Sequence, residues 1–107
     1  MIAAIALDLG TTSIKAALLG QDGMLSNMIV RAAPEIRGDN GRYESDALQY
    51  AETAEQVLAE CQARAGKNLP LGLCSQRSSF LIWEKASGQP ITPLISWQDN
   101  RGLACCE

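Results

Sequence analysis

Apolar residues run without a break from Ile2 to Leu7 and dominate again from Ile14 to Leu19, with Asp8-Leu9-Gly10-Thr11-Thr12-Ser13 between them. Both flanks have strand length, and a continuous apolar run suits a strand buried on both faces. The pattern predicts two antiparallel strands joined by a tight turn from Gly10 to Ser13, with Asp8 at its mouth. Gly10 is expected there because glycine tolerates backbone conformations that other residues resist. Gln21-Asp22-Gly23 is a turn signal that closes a second hairpin, and Met24 to Val30 reads as a third strand. Residues 2–32 are thus expected to form a three-stranded antiparallel meander. From Ala33 to Arg42, Pro34, Gly38, Asp39, Asn40 and Gly41 mark a loop.

Beyond the loop the period changes. Ala47, Ala51, Ala54, Leu58, Cys61 and Ala65 recur at steps of three and four, which is one face of a helix. Ser45 or Asp46 supplies its N-cap and Gly66 its C-terminal cap. The small apolar face is expected to pack closely on a sheet. Leu69 to Cys74 reads as a fourth strand, parallel to an earlier one through a right-handed crossover. Ser79 to Trp83 and Ile91 to Trp97 are further extended runs. A turn at Glu84 to Pro90 separates them, and Pro93 pushes the second toward an edge. Asn100 to Glu107 is expected to begin a helix.

Composition narrows the function classes. At 107 residues the chain makes one domain at most, large enough for a core. The net charge is −3 with Lys and Arg scattered, which argues against a nucleic-acid footprint and a polybasic membrane patch. There is no His, so the commonest general base and metal ligand is missing. Cys61, Cys74, Cys105 and Cys106 form no C-x-x-C pair, which fits reduced thiols in a cytoplasmic protein better than a zinc site. The apolar N-terminal run lacks a basic leader and meets Asp8 too early for a signal peptide or membrane span.

The Asp8 turn carries the first candidate chemistry. Its amide N–H groups can converge on an anion, helped by the hydroxyls of Thr11, Thr12 and Ser13. Asp8 repels a phosphate unless a Mg²⁺ ion with its waters lies between them. Lys15 adds a positive charge on the second strand. An ordinary hairpin with a polar turn accounts for the same residues. The string is not a P-loop, which ends in Gly-Lys-Ser/Thr at the start of a helix. It resembles the first phosphate motif of the actin-like ATPase superfamily.

Two later constellations bear on a ligand. Gln76-Arg77-Ser78-Ser79 follows the fourth strand, and open α/β sheets bind ligands beyond the carboxyl ends of parallel strands. Gln76 and Arg77 suit hydroxyl oxygens there, although a surface Arg needs no ligand. Trp97-Gln98-Asp99-Asn100-Arg101 joins an aromatic face to polar groups, as polyol recognition requires, although a lone Trp also serves a core.

Together these segments resemble the N-terminal part of the FGGY carbohydrate kinases. The likeness rests on Asp8-Leu9-Gly10-Thr11-Thr12-Ser13 with Lys15, Gly41-Arg42-Tyr43-Glu44-Ser45-Asp46, Gln76-Arg77-Ser78, and Trp83 through Gly88-Gln89-Pro90 to Trp97-Gln98-Asp99-Asn100-Arg101. The ordered set covers nearly the whole chain and excludes actin and the chaperones. The resemblance implies an α/β fold, the N-terminal part of a ribonuclease-H-like (actin/hexokinase-type) domain. Its parts are three antiparallel strands, a helix, a parallel strand and a hairpin-like extension.

It also implies ATP- and Mg²⁺-dependent phosphorylation of a sugar or polyol hydroxyl. By that likeness Asp8 serves the Mg²⁺–phosphate site, and Gly10, Thr11, Thr12 and Lys15 the nucleotide phosphates. Gln76, Arg77, Ser78, Trp97 and Asp99 line the sugar site. Glycerol kinases carry a Glu where this chain has Ser78, so glycerol is not the expected substrate. The family's catalytic Asp base falls beyond residue 107, and Asp99 and Glu84 are poor local substitutes. Residues 1–107 are therefore expected to be a partial kinase domain, inactive alone, with its exposed fourth strand or the Ser79–Trp97 arm open to homodimer formation. The alternative is a non-catalytic module that binds a sugar, a nucleotide or a protein.

Overall fold

The computed structural model describes the backbone of residues 1–106 and the side chains through Leu103 together with Cys105. In chain order the elements are β1 (Ile2–Leu9), β2 (Ser13–Gly20), β3 (Leu25–Ala32), β4 (Arg37–Asp39), β5 (Arg42–Ser45), α1 (Ala47–Ala65), β6 (Leu71–Ser75) and β7 (Leu94–Ile95). A 3₁₀ turn follows at Leu103–Cys106, so a short turn stands where a helix is expected from Asn100. Glu107 lies outside the described residues. The chain divides into two compact units, the first Met1–Ala33 with Ala51–Ser75, the second Pro34–Tyr50 with the residues from Gln76 on.

The first unit is a four-stranded sheet in the order β3-β2-β1-β6 with the body of α1. The meander and the parallel fourth strand form as the sequence pattern predicts. Alternation decides which side of the sheet is core. Ile5 and Leu7 on β1, Ile14, Ala16 and Leu18 on β2, and Ile29 on β3 share one face by register and are all buried. Arg31 belongs to that face and bonds Glu60 of α1 at 2.7 Å, which tethers the helix to β3.

The opposite face carries Ala6, Asp8, Lys15, Ala17, Val30 and Cys74. The expectation that β1 is buried on both sides holds only in part. Ile5 and Leu7 are buried, while Ala6 and Asp8 on the other side are half-buried.

The helix begins where expected. Asp46 caps it, accepting the Gln49 N–H at 2.9 Å, and Gly66, at φ +70°, closes it by donating its N–H to Gln62 O at 3.2 Å. Its core face keeps Cys61 of the expected series and adds Val57, which lies outside it. Val57 and Cys61 are 0% exposed, whereas Ala51 is exposed. One branched residue outweighs the run of small ones because it buries more apolar area. Burial also raises the Cys61 thiol pKa, with Arg64 pulling against it.

In the second unit β4, β5 and β7 form a three-stranded antiparallel sheet. The stretch around Asn40-Gly41, expected as loop, is a two-residue hairpin turn. Both residues have positive φ, 51° and 80°, and Asp39 pairs with Arg42 across it. That backbone is the one whose twist matches the flanking strands. The arm from Ser79 to Trp97 is a frayed hairpin. Phe80 and Ile95 exchange both backbone bonds, at 3.0 and 2.8 Å, and Trp83 bridges Pro90. A continuous strand from Ser79 does not form, because Pro90 and Pro93 present no N–H on the facing run. Glu84 to Gln89 turns the chain, with Gly88 at φ +75°. Among the described residues no helix is long and apolar enough to cross a membrane.

Candidate functional site

The Asp8 turn in the first unit is tighter than glycine freedom alone requires. Gly10 donates its N–H to Ser13 O at 3.1 Å. A Cβ on Gly10 would lie 2.5 Å from that carbonyl oxygen, so the position admits no side chain without rebuilding the turn. Space, not a positive φ, demands the glycine. The Gly10 amide is thereby engaged within the turn. Thr12 is exposed at the tip, and its carbonyl accepts the Ala33 N–H at 3.0 Å, pinning the far end of β3.

Asp8 and Lys15 stand directly opposite each other on β1 and β2 and therefore face the same way. Among the described residues neither enters an ion pair; those present are Arg31–Glu60, Arg101–Glu44 and Arg101–Asp99. A cavity of about 240 Å³ opens on this face, bordered by Ala6, Asp8, Lys15, Ala17, Met28 and Cys74. β1 and β6 are parallel and end together, Leu9 against Ser75, so Asp8 sits at the carboxyl edge where such sheets bind ligands.

The acidic and thiol groups nearby do not make a metal cage. Among the described residues no three His, Cys, Asp or Glu side chains cluster closely enough to hold an ion. A lone carboxylate is compatible with a Mg²⁺ ion that takes its remaining positions from waters and substrate phosphates.

The second unit contains all five residues that the sequence assigns to a polyol, Gln76, Arg77, Ser78, Trp97 and Asp99. Ser79 Oγ donates to Gln76 Oε1 at 2.7 Å and accepts the Trp97 N–H at 2.9 Å. Gln76 Nε2 reaches the Tyr50 hydroxyl at a long 3.5 Å. Trp97 is 52% exposed, so its ring is no core residue. Arg77 is exposed, and among the described residues it joins no ion pair. Ser78 has φ +64°, a left-handed conformation that a serine adopts only at a cost.

Asp99 is differently placed from the other sequence candidates. Its side chain is 5% exposed and bonds Arg101 at 2.5 Å. Its Oδ2 accepts the Tyr43 N–H at 2.8 Å, and its Oδ1 the Arg101 N–H at 3.0 Å. Arg101 also reaches Glu44 at 2.7 Å. The Arg101 hydrogen bond comes first among the causes that hold the Asp99 carboxyl well below the ordinary carboxylate range, and the same bond raises Arg101 above its usual value. A carboxyl so lowered stays ionised through mildly acidic pH. The stability it adds is lost only as pH falls through that lowered value. With Asn100 N–H on Gly41 O and Ser96 N–H on Tyr43 O, both at 2.8 Å, the network fastens the segment after Trp97 to the β4–β5 hairpin.

Ser79, Tyr50 and Glu44 were not singled out by sequence as site residues. Ser79 lies next to the Gln76-Arg77-Ser78 signal, but no spacing rule distinguishes its hydroxyl from that of Ser78. A larger cavity, about 420 Å³, lies at the start of α1 among Pro34, Glu35, Arg37, Asp46, Gln49 and Pro93. It contains none of the residues assigned to phosphate or polyol.

A meander, a crossover helix and a parallel strand, with the Asp8-Leu9-Gly10-Thr11-Thr12 turn at the carboxyl edge, make up the N-terminal part of an actin-like ATPase fold as sugar kinases carry it. The chain belongs to the FGGY family of carbohydrate kinases, whose N-terminal domain model matches residues 3–107. It is 37% identical over 106 residues to a glycerol kinase of Gloeobacter violaceus, covering 98% of this chain and 21% of that protein. Its fold matches the xylulose kinase of Lactobacillus acidophilus with a TM-score of 0.82 at 20% identity, over 95% of this chain and 21% of the other. The glycerol kinase of Plasmodium falciparum, solved with ADP, matches with a TM-score of 0.80 at 20% identity, over 96% and 22%. The chain thus spans about a fifth of the length of these relatives.

Proposed function

We propose that residues 1–107 are the N-terminal part of a longer cytoplasmic kinase that transfers the γ-phosphoryl group of ATP to a hydroxyl of a sugar or polyol. The observation that carries this reading is the opposed Asp8–Lys15 pair, without ion-pair partners among the described residues, at the carboxyl edge of a sheet in a carbohydrate-kinase family. In the reaction the acceptor oxygen bonds to the γ-phosphorus, the bond to ADP breaks, and the hydroxyl proton passes to a base. That base is an Asp expected past residue 107. Mg²⁺, when bound with ATP, neutralises charge on the phosphates.

The chain's own residues then have distinct tasks. Asp8 would hold the metal ion, and Lys15 with the Thr11 and Thr12 hydroxyls would hold phosphate oxygens. Gly10 keeps the turn narrow. Gln76, Arg77 and Ser78 bond substrate hydroxyls while the exposed Trp97 ring covers C–H groups. Asp99 borders that site and, being bonded already to Tyr43 and Arg101, serves it by holding the Trp97–Gln98 segment in place. Free thiols at Cys61, Cys74 and Cys105 accord with a reducing compartment.

Arg77→Ala and Trp97→Ala in the full-length protein should each raise the sugar KM about tenfold or more and leave the ATP KM unchanged, because each group binds a part that does not react. Steady-state kinetics over pentoses, hexoses, gluconate and glycerol provides the measurement. Unaltered sugar KM values would remove these residues from the site. The same panel decides the acceptor. Relatives such as that of Gloeobacter violaceus are glycerol kinases, which favours glycerol. Ser78, standing where glycerol kinases carry a Glu, favours another polyol, and glycerol as best substrate would contradict that choice.

The exposed edge supports one more expectation. β6 is the last strand of its sheet, and its Leu71 and Leu73 are 47% and 61% exposed. Such an edge pairs readily with another chain. The 107-residue chain should therefore form a dimer or larger species, through that edge or by exchange of the Ser79–Trp97 arm. Light scattering at high concentration checks this, and a clean monomer refutes it.

A further inference from the structure

We propose that Ser79 is a positioning residue of the sugar site: its hydroxyl locks the Gln76 side chain to the backbone of Trp97. The inference rests on the reading of Gln76 and Trp97 as sugar-binding residues. Its physical ground is a substitution within the β-ladder. Phe80 and Ile95 exchange both backbone bonds. In an antiparallel ladder the next hydrogen-bonded pair along would be Ser78 with Trp97. That pair is not made. Ser78 instead turns into the left-handed region at φ +64°, which takes the chain out of the ladder toward Gln76. The Trp97 N–H donates to Ser79 Oγ at 2.9 Å in place of the Ser78 carbonyl.

The same hydroxyl donates its one proton to Gln76 Oε1 at 2.7 Å. One donated and one accepted bond suit the geometry of a serine hydroxyl. Ser79 therefore does what no backbone group could do there. It lets the Gln76-Arg77-Ser78 segment leave the hairpin while Gln76 and Trp97 stay in fixed register. With Oε1 accepting from Ser79, the Gln76 amide is fixed with Nε2 as its donor side, and that group reaches the Tyr50 hydroxyl at 3.5 Å.

Two substitutions in the full-length protein test this. Ser79→Ala removes the hydroxyl, and Ser79→Thr keeps it. Loss of a positioning hydrogen bond should raise the sugar KM about tenfold in Ser79→Ala, with kcat and the ATP KM within about twofold of wild type. Ser79→Thr should restore the sugar KM. An unchanged sugar KM in Ser79→Ala, or a Ser79→Thr protein as impaired as Ser79→Ala, would overturn the proposal. A wild-type protein that phosphorylates nothing would instead remove the sugar-site reading beneath it. Independently of activity, the Trp97 backbone amide of the 107-residue chain should exchange with deuterium faster in Ser79→Ala than in wild type or Ser79→Thr. Equal exchange in all three would show that the hydroxyl holds nothing.

Discussion

Asp8→Ala in the full-length kinase should lower turnover by about 10²–10³-fold, the loss that follows removal of one well-placed electrostatic group. The fold should survive. Asp8 is half-buried on the face away from the helix, and among the described residues it forms no ion pair. Ala at that position leaves the β1–β2 and β1–β6 ladders intact, since those bonds are made by backbone. The effect should therefore appear in kcat at saturating ATP, Mg²⁺ and sugar, with an unchanged thermal midpoint. Turnover at the wild-type rate would take Asp8 out of the phosphate site. A matching collapse in melting temperature would mean that the loss is structural.

The second large effect is the inactivity of residues 1–107 alone. Asp8, Thr11, Thr12 and Lys15 all come from one turn and its two strands. On the proposed reading they hold one side of a phosphate chain and nothing of the adenosine, and Arg77 and Trp97 hold one side of a sugar. Phosphoryl transfer depends on positioning, with effective molarities of about 10⁵–10⁸ M at stake for well-oriented groups. A half-site open to water forfeits most of that. Weak, Mg²⁺-dependent binding of phosphate-bearing ligands is the most expected of the chain by itself. Incubating the purified chain with labelled ATP, Mg²⁺ and the sugar panel should give no sugar phosphate above background. Product that disappears in Asp8→Ala would place the catalytic base within these residues.

Much of this architecture was legible because local pattern and long-range pairing coincide in it. The three meander strands are consecutive, so their turns at Gly10–Ser13 and Gln21-Asp22-Gly23 specify their neighbours. The parallel placement of β6 follows from the handed crossover of α1. What escaped was structure fixed by distant partners. The β4–β5–β7 sheet joins Glu44 and Ser45 to Ile95 and Leu94, some fifty residues away, and nothing in the short Arg42–Ser45 stretch names that partner. Asn40-Gly41 carried the hairpin signal, but the glycines and proline around it read as loop. In α1 the three-and-four spacing found Cys61 but drew the core face toward Ala51, whereas Val57, outside that series, is buried beside the sheet.

The site was legible as residue types rather than as geometry. Asp8, Lys15 and the Gln76-Arg77-Ser78 segment stand out by kind and order. The burial of Asp99 does not, because its partners Tyr43 and Arg101, the latter shared with Glu44, come together only through the second sheet. Nor does the Ser79 bridge, which exists because Ser78 leaves the ladder.

The central claim is that the Asp8 turn and the Gln76–Trp97 cluster belong to one phosphotransferase acting on polyhydroxy compounds. The most direct test is transfer of labelled γ-phosphoryl from ATP, with Mg²⁺, to pentoses, hexoses, gluconate and glycerol by the full-length protein. Label should appear on at least one of these acceptors and should fall by about 10²–10³-fold in Asp8→Ala. A folded, ATP-binding protein that labels none of them, or that labels one equally well without Asp8, would contradict the claim.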